Sequence, residues 1–376
     1  MDKRIEETWS HLDPARLKAT FLEMLEIYSP SGKEEDIQRF IEAELISCGA
    51  RVQRDPVDED RYNIRSVMGE APPEFYLVGH VDTVPATDLD SCYPQEEAGM
   101  IRALGSADMK GGCAAMIEAW RALHELPPNR RPNAGLVLVV GEEENGDGSA
   151  AFLRTHRPGW AVIGEPTGMS ACFAHYGYLE AGFTTCGRRI HSSLPELGHN
   201  AVESMLRFLL HLGRDPIFRR KPSSIVYSIR ELSSSRAGFV VPDRCEAWID
   251  LHLAPGIDPA AVEDALRQRM SSAGKAIEDL DLDLAVNFSA KGFDLGECAS
   301  MNRSLEEVYR RLGLPLYRDT FRSHSDGNLF HQAGVKPVIL GPGSLETAHT
   351  PEEQTAMVQV VEAARVYSAL CCENFI

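Results

Sequence analysis

No two of the nine cysteines stand in CxxC spacing, and their number is odd. A zinc ribbon or a disulfide framework does not fit, so the expectation is reduced, mostly buried thiols in a cytoplasmic protein. No stretch approaches the ~20 apolar residues that a membrane-spanning helix needs. The amino-terminal MDKRIEETWSHLDP also lacks the apolar core of a signal peptide. Positive charge is scarce: 38 Lys and Arg face 56 Asp and Glu, a net charge of −18. A surface that acidic repels phosphate backbones and anionic lipid, so neither nucleic acid nor a membrane is expected as a partner. Internal repeats and low-complexity tracts are missing. The glycine-rich GSADMKGG lacks the Lys-Ser/Thr ending of a phosphate-binding loop.

What remains is an ordinary globular composition in 376 residues, a length that suggests two domains. Asp13-Pro14 predicts a capped helix running to about Tyr28, with Leu17, Phe21, Met24 and Leu25 on its buried face. Ser31 and Glu34 form a possible capping box for a second helix, with Gly49 as its stop. Short apolar strands follow at 75–78, 136–140, 161–163 and 337–340, each ending in glycine and polar residues. Buried strands alternating with helices predict an α/β fold whose central sheet is mainly parallel and flanked by helices. The middle of the chain reads β-α-β-β-α-β: strands near 177–186, 224–232, 239–253 and 280–288, helices 201–212 and 259–272. That is the order of a ferredoxin-like α+β domain. The expected organisation is a catalytic domain of 1–174 and 291–376, interrupted by a smaller domain of 175–290.

Five potential metal ligands lie just after predicted strands or in loops: His80 in GHVDTVP, Asp108 in GSADMKGG, Glu144 in GEEENG, Glu165 in IGEPT and His349 in AHTPEE. Two imidazoles and three carboxylates suit zinc. If one carboxylate bridges, each of two ions gains three protein ligands, and ions ~3.5–4 Å apart can together polarise a carbonyl and acidify water. Taken singly, each motif has a plainer reading: a structural histidine, a solvated acidic turn, an ordinary bend. Their joint order along one chain carries the argument.

In that order the motifs HVDTVP, GSADMKGG, GEEENG, IGEPT, HSSLPELGHNAVE, SHSDG and GPGSLETAHTPEE resemble the M20 metallopeptidase family over nearly the whole chain. The resemblance implies a hydrolase cutting an N-acyl amino acid, in the manner of acetylornithine deacetylase. Dipeptidase, carboxypeptidase or succinyl-diaminopimelate desuccinylase activity is the alternative, and a metabolite-binding homologue without turnover is the non-enzymatic one. It further implies two Zn2+ ions, with Co2+ or Mn2+ as substitutes. His80, Asp108 and Glu165 would hold one ion, and Asp108, Glu144 and His349 the other. Asp82 would accept the second ring N–H of His80, and a cis peptide would follow Asp108. Aligning on Gly146 makes Glu143 the general base, with Glu142 as the competing register. The 175–290 domain would be a lid that dimerises, bringing His191 to the partner's site as an oxyanion donor. Asn200 is expected to cap the lid helix.

The chain departs from the family pattern at three substrate contacts. His252 stands where a carboxylate-gripping arginine is usual, Phe239 where asparagine is common, and Tyr176 where a basic residue precedes glycine. Arg322, Arg236 and Arg244 are candidates to replace the missing charge, and His324 in SHSDG is a candidate substrate contact.

Overall fold

The structure, a computed structural model, describes residues 3–86, 93–214, 225–235, 238–296 and 298–373. Two units are present: Met1–Phe173 with Leu295–Phe321 and Ser325–Ile376, and Ala174–Asp294 with Arg322–His324. The sequence reading assigned 322–324, together with the rest of SHSDG, to the first of these; the structure groups that tripeptide with the second.

The first unit is a mixed α/β layer structure. Its sheet runs Val52–Pro56, Tyr62–Val67, Gly135–Val139, Phe75–His80, Trp160–Ile163, Lys336–Ile339, Ala171–His175. The four strands from Gly135–Val139 to Lys336–Ile339 are parallel, and the strands outside them pair antiparallel. Strands 75–80, 135–139 and 160–163 are buried throughout, which explains their unbroken apolar character. Helix Gly111–His124 is buried on every side and packs on helix Met357–Cys371. Its start lies so close to the sheet that a Cβ on Gly112 would sit 2.4 Å from the Gly164 carbonyl oxygen.

Asp13 caps helix Pro14–Glu26 by accepting from the Ala15 and Arg16 amides. The expected capping box at Ser31 is absent. Helix Glu35–Ser47 begins at Glu34 without a side-chain cap, and Ser31 Oγ instead donates to Asp82 Oδ2 at 2.7 Å.

The second unit has the predicted element order. Its antiparallel sheet runs Ile225–Ser234, Arg244–Leu253, Gly177–Cys186, Asp281–Ala290, with helices Ala201–Leu212 and Pro259–Ala276. Strand Arg244–Leu253 alternates half-buried and buried residues, and Cys245, Ala247, Ile249, Leu251 and Leu253 feed this unit's own core. That strand starts later than the 239 predicted, because Phe239 adopts a left-handed φ of 58° incompatible with extended pairing. Position 224, the predicted start of its neighbour, lies outside the described residues. Asn200 accepts from the Val202 and Glu203 amides and caps its helix. No helix among the described residues is long and apolar enough to cross a membrane. Eight cysteines are free thiols, and Cys92 lies outside the described residues.

Candidate metal centre

Three adjacent parallel strands aim their carboxyl ends at one place. Register pairs His80 with Val139 and Val78 with Ile163, so His80, the Glu142–Glu143 turn and Glu165 emerge side by side. Open α/β sheets place their sites at this edge, where loops rather than sheet partners satisfy the chain. Asp108 arrives from the loop before helix Gly111–His124, and His349 from the loop after strand Lys336–Ile339.

Asp108 lies between the two imidazoles. Its Oδ1 is 3.0 Å from His80 Nε2 and its Oδ2 is 3.3 Å from His349 Nε2. On the His80 side stand Glu165 Oε1 at 3.8 Å and Glu142 Oε2 at 3.9 Å from Nε2. On the His349 side stands Glu143, with Oε2 3.1 Å from Nε2. Donor atoms of His80, Glu142 and Glu165 lie within 4.8 Å of one another, as do those of His80, Asp108 and Glu143. The peptide bond between Asp108 and Met109 is cis.

The GEEENG turn departs from the expected register. Glu144 is exposed and belongs to neither donor group among the described residues. Glu143, expected as the base, lies beside His349 and Asp108, and Glu142 lies against His80 and Glu165. The cause is the backbone of the turn. Gly141 has a φ of 72°, and a Cβ there would come within 2.0 Å of Asp147 Oδ1. The amides of Glu142 and Glu143 then both donate to the Asp82 carboxylate, at 3.2 and 3.1 Å. Those two side chains turn inward and the third glutamate points to solvent.

Asp82 also differs from its expected part. His80 Nδ1 donates to the Asp82 backbone carbonyl at 3.0 Å, while the nearer carboxylate oxygen is 3.6 Å away. The carbonyl fixes the ring tautomer. The carboxylate, fully buried, holds Ser31 and the two glutamate amides.

Two acids that carried no assigned role complete the centre. Glu353 Oε1 accepts from the amides of Ala107 and Asp108 at 2.9 and 3.0 Å, fixing the loop that presents Asp108. It sits in AHTPEE, four residues after His349, and nothing in the sequence marks it, because only its burial in an otherwise exposed turn sets it apart. Asp326 begins helix Asp326–Gln332 behind a Ser325 capping box. Burial pushes its carboxyl up to about 7.

The electrostatics are those of a cation site. Burial, then Asp108, pushes Glu165 up to about 8, and burial holds Glu142 well above the carboxylate range. Glu143 is raised by burial and by Asp108. Burial alone would lower the histidines. Glu165 and Asp108 instead hold His80 well above its ordinary value, and Asp108 and Glu143 push His349 up to about 11. The Glu165 Oε1 atom is buried with no hydrogen-bond partner. Packed acids that resist shared ionisation, with an unsatisfied oxygen among them, fit divalent metal with mixed N/O ligation.

The remaining expected residues lie in the second unit. His191 is exposed in a loop, with Nδ1 2.7 Å from Ser193 Oγ, and forms an isolated bridge with Val240. His252, Tyr178, His324 and Phe288 cluster: Tyr178 lies 5.2 Å from His252 and 5.6 Å from His324, and Phe288 4.7 Å from His324. Burial lowers His252, and burial with His252 pushes His324 down to about 4, so both rings are neutral near pH 7. Of the arginines named as candidates to replace the missing charge, Arg244 pairs with Glu246 and Arg322 lies 6.0 Å from the Tyr176 ring centroid. Arg236 lies outside the described residues.

The model of peptidase family M20/M25/M40 matches residues 76–373. Acetylornithine deacetylase of Proteus mirabilis (strain HI4320) is 28% identical over 349 residues, covering 88% of this chain and 87% of that protein. A probable carboxypeptidase of Neosartorya fischeri is 29% identical over 383 residues, covering 93% and 84%. A dinuclear metal-binding peptidase of the M20 family from Bacillus subtilis has the same fold, with a TM-score of 0.70, 12% identity, and coverage of 96% and 97%.

Proposed function

The chain belongs to peptidase family M20/M25/M40, a family of metal-dependent amide-bond hydrolases, and from that premise we propose that it is a two-metal deacylase of N-acyl amino acids. The observation that carries this reading is Asp108 set between His80 and His349, each backed by a buried glutamate. His80 and Glu165 would hold one ion, His349 and Glu143 the other, and Asp108 both; zinc suits this mixture of imidazole and carboxylate. Bound there, the pair would supply Lewis acidity toward a carbonyl oxygen and toward water.

Glu142 is then the general base. Its carboxylate lies beside His80, and burial has raised its affinity for a proton, so it can take one from water and return it to the leaving nitrogen. Asp82 and Glu353 keep the loops carrying Glu142, Glu143 and Asp108 in place through backbone amides.

The second unit is a dimerisation lid in this proposal. Helix Ala201–Leu212 exposes Leu206 and Leu210, at 46% and 67%. The sheet's edge strand Ile225–Ser234 exposes Val226, Ile229 and Leu232. An apolar helix face and an unpaired edge strand in one unit support a partner of the same kind. His191, exposed on that unit, would act at the partner's centre as an oxyanion donor.

Neutral His252 supports a substrate gripped less by a permanent charge at that position. The similarly close carboxypeptidase relative keeps peptide cleavage as the second reading. Assaying zinc-loaded protein on N-acetyl and N-succinyl amino acids beside dipeptides tests the proposal. Faster turnover of the acylated amino acids is expected, and dipeptides hydrolysed at higher kcat/KM would overturn it in favour of the second reading.

A further inference from the structure

The antiparallel edge of the first unit's sheet carries a second set of polar groups, remote from the metal centre. In strand Tyr62–Val67, Ile64 and Ser66 are buried, and Arg65 and Val67 point to the opposite face. Gln53 lies directly across from Arg65 in the register. This face helps form a cavity of about 560 Å3, into which Arg51, Arg65, Tyr76, His156 and Arg157 also project. The loop Glu70–Glu74 forms another wall. Tyr76 lies near the amino end of strand Phe75–His80, four residues before His80. At ~3.3 Å per residue the cavity lies about 13 Å from the metal centre, at the opposite end of the parallel strands.

Parts of this cavity are fixed without a ligand. Arg65 is held by Asp55 through Nε–Oδ2 at 2.6 Å and a second bond of 3.1 Å, and its side chain is only 13% exposed. The His156 ring stacks flat on Phe152, with centroids 5.0 Å apart, and its Nδ1 is 2.8 Å from Thr155 Oγ1. Tyr76 is buried, and burial keeps its phenol protonated. Other groups are not engaged. Arg51 has no carboxylate partner among the described residues, and Arg157 reaches only the Leu153 carbonyl, at 3.4 Å. Glu70 and Glu74 likewise have no cationic partner among the described residues.

The charge balance selects the ligand class. Three guanidinium groups meet three carboxylates: Asp55, Glu70 and Glu74. A polyanion would be repelled by the two free glutamates, and a cation by the free arginines. A molecule with one carboxylate and one ammonium group satisfies both, and the volume is in the range of small-molecule sites. We propose that this cavity is a second binding site, for a free α-amino acid zwitterion, with its carboxylate on Arg51 and Arg157 and its ammonium on Glu70 and Glu74. This proposal does not rest on the hydrolytic reading.

The test is calorimetric titration of the metal-loaded Glu142→Gln chain, in which acylated ligands stay intact, with pooled free L-amino acids, N-acetyl amino acids, amino acid amides and inorganic phosphate. Hydrogen exchange of segments 51–67 and 153–158 is followed alongside. Free amino acids should protect those segments. R51A/R157A should weaken that binding at least about tenfold, since each charge-assisted bond is worth roughly that much, while metal content and Tm stay unchanged. E70Q/E74Q should weaken free amino acids but improve binding of their N-acetyl forms, which lack the ammonium. The proposal is overturned if neither segment gains protection at millimolar amino acid, if R51A/R157A binds as tightly as the parent, or if phosphate binds as well as amino acids do.

Discussion

Three single substitutions in the Glu142–Glu144 run separate the roles of three identical side chains. Glu142→Gln preserves shape and neutralises the carboxylate that lies 3.9 Å from His80 Nε2. It leaves the His80–Asp108–Glu165 and His349–Asp108–Glu143 donor sets complete, so both metals should remain. Removing a general base typically costs ~10²–10⁴-fold in kcat, or about 3–5 kcal/mol of barrier. Glu143→Ala instead deletes one of three donors around one ion, leaving Asp108 and His349, 3.3 Å apart, as its two remaining protein donors. Metal content should fall from two per chain toward one, and activity should return in part with excess metal. Glu144→Ala removes an exposed side chain outside both donor groups. Its effect should stay within about 0.5 kcal/mol, with full metal content. The assay is elemental analysis of dialysed protein beside steady-state kinetics. If Glu144→Ala lost a metal and Glu143→Ala kept both, the inward pair would be Glu143 and Glu144, and the turn geometry argued above would be wrong.

Asp82→Ala should lower kcat and metal affinity together, because it releases both the Glu142 and Glu143 amides, and Ser31→Ala should do so more weakly; equal metal content in Asp82→Ala would refute the coupling. Leu210→Glu should shift the protein from dimer to monomer in size-exclusion chromatography with light scattering, and an unchanged mass would place the interface elsewhere. Refolding inactive His191→Ala with inactive Glu142→Gln subunits should restore about a quarter of wild-type activity, because half of random dimers are mixed and each holds one intact site; no recovery would mean His191 serves its own chain. His324 is neutral in the folded protein, its pKa pushed down to about 4 by burial and His252, whereas the unfolded chain protonates near 6.5. Its contribution is therefore complete above pH 6.5 and is lost as pH falls toward 4, by roughly 3 kcal/mol. Urea titrations from pH 4 to 7 should show that His324→Phe flattens this dependence, and parallel curves would exclude it.

The parallel sheet and the second unit's element order were legible because strands buried on both faces read as unbroken apolar runs and amphipathic helices print their period directly on the chain. His80, Asp108, Glu165 and His349 were legible for a different reason. Each follows a strand or sits in a glycine-rich loop, where a polar residue has few structural explanations. Ser31 was misread because a hydroxyl near a helix start serves equally as a cap or as a partner for a distant carboxylate. Glu353 and Asp326 were missed because acids in turns are ordinarily solvated, and only burial sets these two apart.

The sequence by itself determined which chemistry is available: two imidazoles and a surplus of carboxylates at loop positions, in an order that matches a family of amide hydrolases. It could not decide which glutamates of GEEENG face inward, since three identical side chains carry no difference to read. The tertiary structure decided it through the left-handed Gly141 and the buried Asp82 carboxylate, which accepts the amides of Glu142 and Glu143. Asp82 lies 60 residues before Glu142, and a contact over that separation exists only once the parallel strands have paired.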